Sequence, residues 1–165
     1  MADQKEDRAI IRALSSPLRM RILRYCLHEP HTNREIAAEF DLNPGTSLHH
    51  VRTLVETGFL AAQEHRIGER GSREIPYLAT RRSWSTPVPN IGPVLVRTFL
   101  DEIEGIDPEA LNIVRLGVKL DEAGEMDLMH RLIEVLEEFK DRPPATDGRP
   151  ISIMLAVHPE QRRTG

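Results

Sequence analysis

The sequence predicts a mainly α protein with a β-wing, followed by a small C-terminal α+β module. Three patterns predict it. Short apolar stripes at helical spacing, separated by strong cap signals, fill residues 5–58. A glycine-centred hairpin pattern follows at 60–80. After a proline-rich stretch, aliphatic residues alternate with other residues near 113–120 and 151–158.

The elements follow in order. Ile10, Ile11 and Leu14 mark a short helix over 5–14. Ser16-Pro17 starts a second, because proline at the first helical position sacrifices no hydrogen bond. Its inner stripe is Leu18, Ile22, Tyr25 and Cys26, and Pro30 ends it. Thr32 with Glu35 three residues on is a capping-box pattern, opening a helix that turns in Ile36, Ala37 and Phe40. Asn43-Pro44 caps the next helix, with Leu48, Val51, Leu54 and Val55 expected inward, and Gly58 closes it. Residues 60–67 and 73–80 read as strands joined by a loop at 68–72, and three prolines make 85–93 a linker. Beyond it come a helix near 94–107, a strand at 113–120, a long helix over 121–141 and a strand at 151–158. The domain division is therefore a winged helix-turn-helix at 1–84, a linker at 85–93 and, at 94–165, a module expected to serve dimerisation through a helix at 94–105 and standing as the candidate effector module.

Composition narrows the class. With 39% hydrophobic and 29% charged residues, the 165-residue chain has the makeup of a folded protein, and 4% aromatics imply an aliphatic core. No apolar run reaches the roughly 18 residues of a membrane span, and a cytoplasmic location is expected. A lone Cys26 on an apolar stripe is expected to be a core residue. The net charge of −4 is unevenly spread: residues 1–85 carry 13 Lys/Arg and 11 Asp/Glu, residues 86–165 carry 9 and 15. No acid lies between Asp7 and Glu29, a stretch that holds five arginines including Arg19. Local charge, not the total, governs phosphate binding.

Helix, helix, turn, helix and hairpin within about 75 residues is the winged helix-turn-helix pattern, in which a braced helix presents a polar face to the DNA major groove. The candidate DNA-binding residues on that helix are Thr46, Ser47, His49, His50, Arg52 and Thr53, with Glu56 the only acid, at its far end. Arg66, Arg70 and Arg73 around the hairpin loop are candidates for phosphate or minor-groove contact.

Residues 12–84 resemble the ArsR/SmtB family of bacterial regulators. The similarity lies in the run Arg12-Ala13-Leu14-Ser15-Ser16-Pro17-Leu18-Arg19, in Leu48-His49-His50-Val51-Arg52-Thr53-Leu54 through Gly58-Phe59-Leu60, and in Tyr77-Leu78-Ala79-Thr80 with Ser83-Trp84. The resemblance implies a homodimeric regulator, usually a repressor, that binds double-stranded DNA at an inverted-repeat operator and is released by an effector. The chain departs from the family in having Leu48 where serine is frequent. It also lacks the paired cysteines of metal-sensing members, since Thr32 to Ala37 holds none.

Other chemistry finds little support. Asp127, His130 and Glu134 share one helical face, but a solvated face explains them better than a metal site, and no cofactor is expected. His158 is expected at the surface. Met126, Met129 and Met154 would suit a plastic core or an apolar small-molecule effector. No nucleophile–base pair, phosphate loop or Cys-x-x-Cys motif points to an enzyme. The competing functional class is a winged-helix protein-interaction module that does not bind DNA. The polar row from Thr46 to Arg52 favours DNA, since interaction faces expose more aromatic and aliphatic residues.

Overall fold

The computed structural model describes residues 2–68 and 71–160. They divide into two compact units, one ending at Gly105 and the other beginning at Ile106.

In the first unit, α1 (Ala2–Leu14) and α2 (Pro17–Tyr25) are separated by Ser16, whose hydroxyl accepts from the Arg19 N–H. A two-residue strand, β1 (His31–Thr32), runs directly into α3 (Asn33–Glu39). The capping box forms: Thr32 Oγ1 accepts from the Glu35 N–H at 3.2 Å and the Thr32 N–H donates to Glu35 Oε2 at 2.7 Å. Asn43 accepts from the Gly45 N–H at 2.8 Å and starts α4 (Pro44–Glu56). Gly58 follows with φ +74, a left-handed value at which a side chain would be strained.

The wing is more broken than two continuous strands. It consists of β2 (Leu60–Ala62), β3 (Arg66–Ile67), β4 (Arg73–Glu74) and β5 (Pro76–Ala79). β5 pairs antiparallel with β2 on one side and with β1 on the other, opposing His31 to Tyr77, while β3 and β4 form a separate two-stranded ribbon. Proline cannot donate to a ladder, and Pro76 opens β5 just after Ile75.

One core joins these elements: Ala13, Leu14, Ile22, Leu23, Cys26, Ile36, Val51, Leu54, Phe59 and Leu60 are all buried. Cys26 sits among them as expected, and burial pushes its thiol up to about 12 against a weaker opposing hydrogen bond from the His31 backbone. Val88 and Ile91, within the expected linker, pack against the same core. The following helix, α5 (Gly92–Ile103), belongs to the first unit and lies along α2, with Arg24 Nε 2.9 Å from Glu102 Oε1 and Thr98 buried. The boundary therefore falls after α5, not at residues 85–93. Leu95 is exposed, and Thr98 takes the inner position of this helix.

The second unit holds a 3-10 turn (Pro108–Ala110) and α6 (Glu122–Lys140), capped by Asp121 accepting from the Gly124 N–H at 2.9 Å. The expected strands at 113–120 and 151–158 are not formed. No backbone–backbone hydrogen bond engages residues 112–120 or 149–160 among the described residues. Alternation supplies a strand's side-chain pattern, but pairing requires a neighbour at hydrogen-bonding distance. On α6, Asp127 pairs with Arg131 and Glu134 with His130, all four side chains being exposed. Met126, which would suit a plastic core, is exposed, as is Ile133.

Burial fixes the register of α4, with Leu54 enclosed and Val55 only half-buried. Leu54→Ala is expected to lower unfolding stability by about 3 kcal/mol and Val55→Ala by distinctly less. Urea denaturation followed by circular dichroism checks the order, and equal losses would contradict this register.

Candidate nucleic-acid interface

The site starts at the corner between α3 and α4. Asn33 Nδ2 donates to the Pro44 carbonyl at 3.0 Å, and Ser47 Oγ donates to the Asn33 carbonyl at 3.4 Å. Ser47 is fully buried on the same side as Val51 and Leu54, one and two turns on. This corrects the expected exposure of Ser47: the hydroxyl faces α3, where a larger residue would hold the helices apart. Leu48, expected inward, is only half-buried beside it.

The protruding face consequently runs through Thr46, His49 and Arg52, all exposed. Arg52 has no ion-pair partner among the described residues, so its guanidinium is available to a phosphate or a guanine edge. Thr53 is half-buried and its hydroxyl donates to the His49 carbonyl at 3.0 Å, one turn back in its own helix. The Thr53 oxygen is thereby left mainly as an acceptor.

His50 is half-buried and meets a residue of α2. Arg19 Nη1 lies 3.4 Å from His50 Nδ1. A guanidinium has only donors, so this contact requires a bare Nδ1 and places the imidazole proton on Nε2. Burial, then the charge of Arg19, then that of His49, lower the His50 pKa, so the ring is held neutral near pH 7. Arg19 is fixed by donating from Nε to the Ala13 carbonyl at 2.7 Å and from Nη2 to the Arg12 carbonyl. Its own pKa is lowered by burial and by Arg12, which leaves a guanidinium charged at neutral pH. Sequence reasoning noted Arg19 within an acid-free stretch but gave it no place at the site.

The three hairpin arginines separate. Arg66 is paired with acids: its Nη2 donates to Glu35 and its Nε lies 3.8 Å from Glu74 Oε2, while the other oxygen of Glu74, Oε1, lies 3.4 Å from Arg34 Nη2. This network straps the ribbon to α3. Burial opposes the ionised form of Glu35, but hydrogen bonds from the Thr32 N–H, the Thr32 hydroxyl and Arg66 outweigh it, and the pKa is lowered. Arg73 is exposed, with Nη2 2.9 Å from His65 Nε2. Arg70 lies outside the described residues. Ile67, not anticipated, is 80% exposed on the ribbon.

Residues 14–62 match the sequence family described as a helix-turn-helix domain. These residues run from the end of α1 to the end of β2 and include the whole of α4. No curated protein matches the chain. Among solved structures, the chain is similar to the transcriptional regulator PA3341 at 16% identity and TM-score 0.36, covering 85% of this chain and 90% of that one. It is similar to the S. aureus MepR–DNA complex at 15% identity and TM-score 0.35, covering 84% and 88%, and to the transcriptional regulator SlyA at 16% and 0.33, covering 72% of each. The assignment of a winged helix-turn-helix rests on the domain match and on the element order described above.

A His50 whose folded pKa is depressed binds fewer protons than the unfolded chain below about pH 6.5, so its contribution to stability falls as pH drops through that value. Wild-type unfolding free energy is therefore expected to decline between pH 7 and 5, and His50→Gln to show a shallower decline. Denaturation curves at several pH values measure both slopes, and identical slopes would remove the Arg19–His50 account.

Proposed function

We propose that the chain is a sequence-specific DNA-binding transcriptional regulator of the ArsR type, working in the bacterial cytoplasm as a homodimeric repressor on an inverted repeat. The observation that carries this reading is the free face of α4. Thr46, His49 and Arg52 project from a helix whose other side is locked into the core, with no acid among them. Such a row supplies one guanidinium, a hydroxyl and an imidazole, chemistry suited to phosphates and base edges. His50, held as an Nε2–H donor by Arg19, adds a neutral donor beside it.

Two copies are needed for useful affinity, because one helix reads only about half a turn of duplex. Recognition helices of a symmetric pair reach successive major grooves when spaced about 34 Å apart. Arg73 extends the contact toward the flanking backbone, and Arg70 would join it at the loop. Arg66, bound to Glu35 and Glu74, acts instead as the strap that orients the ribbon.

Fluorescence anisotropy with duplex from the gene's own upstream region tests the reading. Affinity is expected to fall steeply from ~50 to ~200 mM salt. Arg52→Ala should weaken binding about tenfold or more, while Ser47→Ala, with its side chain facing α3, should leave the salt dependence unchanged. Binding that ignores salt, or an Arg52→Ala protein that binds as well as wild type, would defeat the proposal.

A further inference from the structure

We propose that residues 111–120 and 150–158 are strands awaiting partners, completed into an intermolecular β-sheet by a second copy of this chain. The inference rests on the two-copy reading above and locates a contact between copies in the second unit.

Neither segment forms a helix, turn or paired strand, and no backbone–backbone hydrogen bond engages residues 112–120 or 149–158 among the described residues. Their side chains carry the strand pattern. Val114, Leu116, Val118 and Leu120 alternate with Arg115, Gly117 and Lys119, and Ile151, Ile153, Leu155 and Val157 alternate likewise. Yet these aliphatics lie open, with Val114 91%, Leu116 73%, Ile151 70% and Ile153 65% exposed. Branched aliphatic rows on unpaired backbone are the features of a strand edge that templates another chain.

Size and charge favour a second copy as the occupant. The open aliphatics of the two segments offer on the order of 800 Å² per chain, one side of a standard protein interface. Pairing the two segments within one chain would give only a two-stranded ribbon, which is marginal in water, whereas two copies supply four strands. Residues 111–120 carry Arg115 and Lys119 and no acid, while α6 carries six acids against Arg131 and Lys140. The basic strand of one copy thus complements the acidic helix of the other. Helix α6 also leaves Met126, Ile133, Val135 and Phe139 exposed, apolar groups able to cover the face of such a sheet.

Hydrogen exchange and sedimentation on the full chain test this, with Leu116→Glu/Ile153→Glu as the variant. Both positions are open in the single chain, so the pair should harm only a contact between copies. Wild type is expected to sediment as a dimer, with exchange at 111–120 and 150–158 slowing at least tenfold as concentration rises through assembly. The variant should sediment as a monomer and lose that protection while keeping it at 14–62. Fast exchange of both segments in the wild-type dimer, equal protection in dilute monomer, or a variant that stays dimeric would overturn the proposal. Binding to a half-site duplex separates this from the DNA reading: the variant should match wild type there, and absence of half-site and full-site binding by wild type would defeat the regulator assignment while leaving the exchange result to decide the sheet.

Discussion

The corner where α3 meets α4 sets the whole recognition surface. Ser47 is small enough to be enclosed against α3 and polar enough to donate to the Asn33 carbonyl, while Asn33 reaches back to Pro44. Together these contacts fix the rotation of α4 about its own axis. Val51 and Leu54 then fall into the core on the Ser47 side, and Thr46, His49 and Arg52 are left on the other. A helix turns about 100° per residue, so a rotation by one position would bury Leu48 and expose Ser47, moving every candidate contact off the protruding line. The functional face is thus a consequence of packing density at one corner rather than of any property of the face itself.

Glu35 extends that constraint to the wing. It closes the capping box at the start of α3 and also holds Arg66 from the ribbon, so the brace helix and the hairpin share one carboxylate. Exposed ion pairs contribute little to stability, but a carboxylate already held by two hydrogen bonds is an oriented partner. The network explains why neighbouring arginines differ. Arg66 pairs with two acids, whereas Arg52 has no acidic partner among the described residues. Arginine count alone would have given both the same role.

Most of the first unit was legible because its signals are local. Ser16-Pro17, Thr32 with Glu35, Asn43-Pro44 and Gly58 each satisfy or terminate a helix end using residues within one turn. Features that depend on distant partners were not legible. β1 spans two residues and exists only through its pairing with β5, more than forty positions away. Residue type alone puts the Ser47 hydroxyl at the surface, because it says nothing of how closely α3 approaches. Val88 and Ile91 sit in a proline-rich stretch whose composition suggests a linker, although two aliphatics sufficed to anchor it to the core. At 113–120 and 151–158 the alternation was visible, but a strand is defined by its neighbour and the sequence does not name one.

The distribution of charge makes these parts compatible in one chain. A chain with a net charge of −4 is repelled overall by nucleic acid, so any attraction must be concentrated where contact occurs. The acid-free stretch holding Arg8 to Arg24, and Arg52, which has no ion-pair partner among the described residues, belong to the first unit, whereas most of the acids after residue 105 lie on or beside α6. Screening confines such effects to about 10 Å at moderate salt, so a face needs only a locally cationic surface, not a basic protein. Holding His50 neutral fits this economy. It leaves a directional donor on α4 without adding a charge beside Arg19, where a second cation would already be disfavoured. Specific contact then depends on where donors point, which the α3–α4 corner governs, more than on bulk electrostatic pull.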